Sequence, residues 1–181
     1  MEFSIDVMAL LFLVAGFAGF IDAVAGGGGL ITIPALLATG MPPTQALATN
    51  KLQGSFGSFS SSLYFVRNGL VSLKEMRFAI LCTFIGAALG AEMVQLIDAS
   101  ILTSLIPGLL IGISLYFLLV PSAGKGGGKP KMSENLFALT VGTGIGFYDG
   151  FFGPGTGSLF TICFVTIAQL AGGSDRPDQS A

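Results

Sequence analysis

A run of four glycines interrupts an apolar stretch near the start of this 181-residue chain. Glycine adopts backbone conformations that are closed to other residues, and it lets a ligand approach the main chain. A helix broken at this run leaves N–H groups without partners, and the next helix adds the positive end of its dipole. Both features favour an anion. We therefore predict that Gly26, Gly27, Gly28 and Gly29 bind a small anionic substrate, with a tight, dry helix–helix contact or a simple loop as the alternative.

A lysine in an otherwise uncharged stretch is the second candidate. Lys51 is the only charged residue between Thr44 and Val66. A charged side chain inside a membrane helix costs about 2.5–3.5 kcal/mol on insertion scales, so it usually faces the interior of a helix bundle. We predict that Lys51 balances the charge of the anion, with Thr49 and Asn50 as hydrogen-bond donors. The alternative is a lysine side chain that reaches the membrane surface.

Three serines follow Lys51 at helical spacing. Ser55, Ser58 and Ser62 fall on the same helix face as Lys51, whereas large apolar residues occupy the neighbouring face. This pattern predicts a polar face that lines the path of the anion.

Two aspartates each end an apolar stretch directly before a glycine-rich break. Asp22 precedes the four-glycine run, and Asp149 precedes a second break that contains Gly153 and Gly155. Loss of hydration at membrane depth favours the protonated form of a carboxylate, which suits a proton-coupling role. A helix cap or a partner for Lys51 is the alternative role. We include both glycines of the second break among the predicted substrate-binding residues.

The two breaks belong to an internal repeat. The sequence Gly-Phe-Ile-Asp at 19–22 recurs 127 residues later as Gly-Phe-Tyr-Asp at 146–149. Gly26 and Gly153 are separated by the same 127 residues. An aspartate followed by a glycine break and a short apolar helix, found twice at one offset, predicts two related repeats. Four membrane spans in the first repeat would make the repeats parallel, and one miscounted span would make them inverted.

The composition indicates a protein whose main partner is the lipid bilayer. Apolar residues make up 52% of the chain and charged residues only 10%, against about a quarter in soluble domains. A net charge of −2 argues against binding to nucleic acid. The chain has no histidine and no evident nucleophile–base pair, so we predict no enzymatic activity, no cofactor and no metal site.

Apolar stretches of membrane-spanning length alternate with shorter ones. We predict an all-α, polytopic membrane helix bundle with two related repeats and glycine-broken helices, in which Thr44 is the N-cap of one helix. The predicted long spans are Val7–Ala25, Thr44–Val66, Phe78–Ile97 and Ile101–Val120, and the shorter apolar pieces are Leu30–Gly40, Leu136–Phe152 and Ser158–Ala171.

This pattern divides the chain into four parts. The first repeat occupies residues 1–120, a polar loop 121–134, the start of an incomplete second repeat 135–171, and a disordered polar tail 172–181. A truncated or frameshifted gene is our preferred explanation for the short second repeat. A short protein that is completed by homo-oligomerisation is the alternative.

Basic residues predict the orientation of the bundle. Lys and Arg cluster in the loops 67–77 and 121–134, whereas the turn near Asp98 has none. Cytoplasmic loops of membrane proteins carry an excess of these residues, so both basic loops are predicted to be cytoplasmic. Pairs of glycines four residues apart also predict close packing between helices. These pairs are Gly86 and Gly90, Gly108 and Gly112, and Gly142 and Gly146.

Three motifs carry a resemblance to a known family. They are GFIDAVAGGGGLITIP at 19–34, ALATNKLQ at 46–53 and GFYDGFFGPG at 146–155. In this order and at these separations they resemble the signatures of the TauE/SafE family of sulfite exporters, over about residues 5–171. The resemblance implies a multi-pass protein of the bacterial inner membrane, built from two related halves, that moves sulfite, sulfonates or related sulfur anions.

The same resemblance places the glycine breaks and the Asn50-Lys51 pair in the substrate region. The chain departs from the family pattern after Ala171, where a counterpart of Asn50-Lys51 is expected in the second half. A membrane transporter of small anions, most consistent with sulfur oxyanions or sulfonates, is therefore the predicted function. A non-transporting membrane scaffold or assembly subunit, or an inactive truncated fragment, is the alternative.

Overall fold

A computed structural model describes residues 4–119 and 133–164. All regular elements in these two ranges are helical, which confirms the predicted all-α fold class. The predicted tail 172–181, and the predicted loop 121–134 apart from its last two residues, lie outside the described residues. The elements are α1 Ile5–Ala25, α2 Gly29–Ala38, α3 Pro43–Arg67, α4 Leu73–Gln95, α5 Ala99–Leu119, α6 Glu134–Phe137, a π-helical segment Ala138–Gly142, α7 Thr143–Phe151 and α8 Thr156–Cys163.

Three of the described helices are long and apolar enough to cross a membrane, namely those at Ile5–Val24, Leu73–Gln95 and Ala99–Tyr116. Helix α3 has 25 residues. At 1.5 Å per residue it is about 37 Å long, more than the roughly 30 Å of a bilayer core. Its serines, its glycines and Lys51 make it less apolar than the other three long helices.

Helix α3 begins two residues earlier than a helix with Thr44 as its N-cap would. Pro43 is its first residue and Pro42 its N-cap, with an extended backbone and no side-chain hydrogen bond. The prediction of Thr44 as the N-cap was therefore wrong. Proline is well suited to the first helical position because its fixed φ is already helical and its missing N–H has no partner there anyway.

Both predicted helix breaks are present, and they have related backbone geometry. Helix α1 ends at Ala25, its C-cap Gly26 has φ 68°, and α2 begins at Gly29. Helix α7 ends at Phe151, and Gly153 has φ 94°. Gly26 and Gly153 occupy equivalent positions in the repeat, and both adopt a positive φ that favours glycine. The next equivalent pair differs, because Gly28 has φ −55° and Gly155 has φ 77°, so the backbones of the two breaks match only in part.

Helices α4 and α7 pack closely along a line of glycines. A Cβ atom added at Gly86 would overlap the carbonyl oxygen of Thr143, and one added at Gly150 would overlap that of Ala87. Residues with higher numbers in α4 contact residues with higher numbers in α7, so the two helices run in the same direction. The predicted close packing at Gly86 and Gly90, and at Gly142 and Gly146, is confirmed. The prediction for Gly108 and Gly112 was wrong for the described residues, because no atom lies within 4 Å of a Cβ at either position.

The buried core lies beside the second break. Phe152, which follows the last residue of α7, is 1% exposed and packs with one or two residues from each of α2, α3 and α5. These residues are Ile33, Leu47, Leu102 and Ile106. Burial of a large apolar side chain contributes roughly 1.5–3 kcal/mol. The core therefore anchors the second break to three helices of the first repeat.

Candidate binding site at the helix breaks

The two helix breaks pack against each other. A Cβ added at Gly26 would lie 2.7 Å from the backbone nitrogen of Ser158 and 2.8 Å from the Cα of Gly157. A Cβ added at Gly29 would lie 3.1 Å from the Cα of Pro154. Only glycine allows the backbones to approach this closely. The breaks of the first and second repeats therefore form one joint structure.

Asp22 closes the first break from within its own repeat. Its Oδ1 accepts a hydrogen bond of 2.8 Å from the backbone N–H of Gly28, and its carbonyl oxygen accepts one of 2.8 Å from Gly26. The Asp22 carboxylate makes no ion pair within 4–119 and 133–164. Its geometry is that of a local cap on the backbone of the break.

Lys51 reaches the second break from the other repeat. Its Nζ lies 3.0 Å from Oδ1 of Asp149 and also donates a hydrogen bond to the carbonyl oxygen of Asp149. The ammonium group rests on Gly153, where a Cβ atom would overlap it. The two side chains are 33% and 41% exposed, so the ion pair lies partly buried at the break. Of the two aspartates, Asp149 is thus the one that contacts Lys51.

Asn50 faces the first break, whereas Thr49 does not. The Nδ2 atom of Asn50 lies 3.1 Å from the position of a Cβ on Gly29, and the Asn50 amide makes no hydrogen bond to the described part of the chain. The Thr49 side chain is exposed, and its hydroxyl lies 3.9 Å from the sulfur of Met41. Consecutive helical residues point about 100° apart, which is why these neighbours separate.

Several backbone donors at the breaks have no acceptor among the described residues. Gly27, Gly29 and Gly155 make no backbone N–H hydrogen bond to any residue in the two described ranges, and Gly27 and Gly155 are buried. More than 90% of buried N–H groups in proteins have a partner, which is protein or ordered water. Donors of this kind at a helix break therefore favour an additional acceptor, such as water or an oxyanion.

The first break is more closed than the sequence predicts. We expected the four glycines to present free N–H groups, yet Gly26 and Gly28 both donate to Asp22. The reason is that the carboxylate lies one turn before the break and can fold back onto it. The free donors are reduced to Gly27 and Gly29 in this break.

The predicted serine face lies on the outside of the described structure. Ser55, Ser58 and Ser62 are exposed, and the hydroxyl of Ser55 donates 2.7 Å to the carbonyl oxygen of Leu52 within its own helix. All residues of α3 from 55 to 65 are exposed, so this part of the helix has few neighbours among the described residues. The serine face therefore does not line an interior path within these residues.

Two residues at the breaks were not singled out from the sequence. The hydroxyl of Tyr148 donates 2.6 Å to the carbonyl oxygen of Pro154 and holds the turn of the second break. The side chain of Gln53 donates 3.0 Å to the carbonyl oxygen of Ala15 and ties α3 to α1. Gln53 belongs to the motif at 46–53 and Tyr148 to the motif at 146–155. Membership in these motifs was the sequence signal that could have identified them.

The arrangement gathers hydrogen-bond donors and one cation. Lys51, the Asn50 amide and three backbone N–H groups are all hydrogen-bond donors. The two carboxylates nearby already have partners, Lys51 for Asp149 and the Gly28 N–H for Asp22. Such a set suits an oxyanion better than a cation, because a cation needs oxygen ligands that are free to coordinate it.

Sequence comparison relates the chain to known membrane proteins. The family profile of the sulfite exporter TauE/SafE matches residues 11–172. A Haemophilus influenzae protein described as a probable membrane transporter is 52% identical over 92% of this chain and 66% of its own length. Escherichia coli K12 YfcA, also described as a probable membrane transporter, is 50% identical over 89% of this chain and 60% of its own length.

The chain thus spans about three fifths to two thirds of these relatives. No protein of solved structure matches it. On the profile match and on these identities, the chain belongs to the sulfite exporter TauE/SafE family.

Proposed function

We propose that this chain is part or all of a secondary membrane transporter of small anions, with sulfur oxyanions or sulfonates as the substrate class. The observation that carries the proposal is the Lys51 ammonium, which lies at the second helix break in contact with Asp149. A cation held at interrupted helices is suited to a negatively charged guest. The family description as a sulfite exporter supports the choice of sulfur anions.

In this proposal the anion binds where the two breaks meet. Lys51 supplies the charge, and the Asn50 amide and the N–H groups of Gly27, Gly29 and Gly155 supply hydrogen bonds. Gly26, Gly28 and Gly153 contribute by lacking a side chain where backbone or Lys51 approaches. Thr49 keeps its proposed role as a donor only if the anion passes along the exposed side of α3.

Transport would move one repeat against the other. Matching broken helices in two repeats are a known feature of secondary transporters, which alternate access by rocking one unit past the other. The Lys51–Asp149 pair joins the repeats, so this motion would act directly on it. Asp22 and Asp149 are the two candidates for a proton carrier, and either one would suffice. The proposed location is the bacterial inner membrane, with the basic loops in the cytoplasm.

A binding and flux assay tests the proposal. We expect the chain in lipid nanodiscs to bind at least one of sulfite, thiosulfate, sulfate and methanesulfonate. A hydrogen bond to a charged group contributes about 1.5–3 kcal/mol, so Lys51→Ala should weaken binding by roughly 10- to 100-fold. The matched control is Lys74→Ala, which removes an exposed lysine near the start of α4 and should leave binding unchanged.

The same protein in liposomes distinguishes the alternatives. Uptake of the anion that binds, abolished in Lys51→Ala, supports a transporter. A correctly inserted chain that neither binds nor moves any of the four anions would contradict the proposal and favour a non-transporting membrane subunit.

A further inference from the structure

The charge of Lys51 is already balanced inside the protein. One N–H of its ammonium donates to the carbonyl oxygen of Asp149, and its contact with Oδ1 engages a second. A lysine ammonium has three N–H donors, so one is left for a ligand. An anion that arrives here meets an ion pair with no net charge, and it competes with the Asp149 carboxylate for Lys51.

We propose, on the basis of the proposed anion-binding function, that Asp149 is an internal competitor for Lys51 and that one proton binds to Asp149 when the anion binds. The proton comes from the aqueous phase and forms the O–H bond of a neutral carboxylic acid. The ammonium is then free to pair with the anion. Adding an anion alone would add one negative charge to this partly buried site, whereas adding an anion and a proton together keeps the charge constant.

The surroundings of Asp149 leave Lys51 as its controlling charge. Helix α7 contributes Tyr148, whose hydroxyl is bound to Pro154. Helix α4 carries Cys82 and Glu92, and α8 carries Cys163. In the ranges that the structure covers, none of these groups makes an ion pair with Asp149. Protonation of Asp149 therefore changes the state of one cation, Lys51.

Asp22 differs from Asp149 in the partner of its carboxylate, which is a backbone N–H and not an ammonium group. Its Oδ1 accepts from the N–H of Gly28, and it contacts no cation among the described residues. A proton on Asp22 would release a backbone N–H, whereas a proton on Asp149 releases an ammonium. The inference thus assigns proton coupling to Asp149 and leaves Asp22 as a cap, although the two are equivalent in the repeat.

The experiment measures binding of methanesulfonate to the whole chain in nanodiscs between pH 5 and pH 8. Methanesulfonate keeps one negative charge across this range, so any pH dependence belongs to the protein. We expect affinity to fall with rising pH, approaching tenfold per pH unit, which is the limit for one linked proton. Calorimetry in two buffers of different ionisation enthalpy should give an uptake of about one proton per anion, without any substitution.

Three variants locate the proton. Asp149→Asn should bind at pH 8 at least as tightly as the unmodified chain binds at pH 5, with no pH dependence. Asp22→Asn, the matched control, should keep the full pH dependence. Lys51→Gln should weaken binding by roughly 10- to 100-fold at every pH, because the ammonium is gone.

The outcomes separate this inference from the proposed function. If methanesulfonate binds through Lys51 but takes up no proton, or if Asp149→Asn keeps the original pH dependence, the inference is wrong and the proposed function stands. If the unmodified chain binds neither methanesulfonate nor the other three anions at any pH, the proposed function fails, and the inference fails with it.

Discussion

The Nζ atom of Lys51 lies 3.0 Å from Oδ1 of Asp149, although the first residue belongs to the first repeat and the second to the other. Asp22, the residue equivalent to Asp149, instead binds the backbone of its own break. The repeat in sequence therefore does not produce two equivalent sites in the described residues. One break is closed by its own aspartate, and the other is closed by a lysine from the opposite repeat.

The strength of this link is measurable with a double-mutant cycle. We expect Lys51→Met and Asp149→Asn to be coupled by about 0.5–1.5 kcal/mol in the free energy of unfolding. Exposed ion pairs contribute up to about 1 kcal/mol, and polar pairs between membrane helices reach about 1.7 kcal/mol. Lys51 also donates to the Asp149 carbonyl oxygen, and Asp149→Asn leaves that hydrogen bond in place. The coupling energy therefore reports only the interaction of Lys51 with the carboxylate. Unfolding in mixed micelles gives the four free energies.

Asp22 provides the control for the cycle. Lys51→Met and Asp22→Asn should add without coupling, because Asp22 contacts Gly28 and not Lys51. Equal coupling of Lys51 to both aspartates would contradict the pairing described above.

Glycine packing between α4 and α7 leads to a second prediction. Gly150→Ala places a methyl group onto the carbonyl oxygen of Ala87, so the two helices must separate. Overpacking of this kind costs about 1–3 kcal/mol, and the variant should unfold at a lower temperature than the unmodified chain. The measurement is thermal unfolding in detergent, followed by circular dichroism.

Gly112→Ala is the matched substitution on α5. A Cβ at Gly112 meets no atom within 4 Å, and alanine is a better helix former than glycine. We expect this variant to keep or slightly raise the unfolding temperature. A loss as large as that of Gly150→Ala would mean that α5 packs closely against a surface outside the described residues.

The membrane class and the positions of both helix breaks could be predicted from the sequence, because each depends on local features. Long apolar stretches define the spans, and the glycine clusters after Asp22 and Asp149 define the breaks. The π-helical segment Ala138–Gly142, directly before α7, was not predicted. Its sequence differs little from that of an ordinary apolar helix.

The partners within the site could not be predicted, because they depend on how the two repeats meet. The sequence left a cap or a Lys51 partner open for both aspartates, and tertiary packing divided these roles between Asp22 and Asp149. Glycine spacing alone also could not distinguish the pair Gly86 and Gly90, which contacts α7, from an uncontacted pair on α5. Glycine spacing predicts which helix face could pack closely, but it does not show whether a second helix lies against that face.

The contact between the breaks gives a third prediction. Gly26→Ala should be more destabilising than Gly40→Ala, although both glycines have a positive φ, 68° and 80°. At Gly40 the added Cβ meets open space, so the cost is the backbone strain of about 1 kcal/mol. At Gly26 the same strain is joined by overlap with Gly157 and Ser158. The difference between the two variants in unfolding free energy measures the close approach alone, and equal losses would argue against it.

The parallel direction of α4 and α7 gives a prediction about sidedness. Ser72 lies just before α4 and Ser133 just before the helical run that ends in α7, so both lie at one end of the bundle. Asp98 follows α4, whose 23 residues span about 35 Å.

Single cysteines placed at these exposed positions, in a chain with Cys82→Ala and Cys163→Ala, can be labelled with a maleimide that does not cross membranes. We expect Ser72→Cys and Ser133→Cys to react from the same side, the cytoplasmic one by the distribution of basic residues, and Asp98→Cys from the other. Reaction of Ser72→Cys and Ser133→Cys from opposite sides would contradict the parallel packing, since the glycine contacts between α4 and α7 require both helices to start at the same face of the membrane.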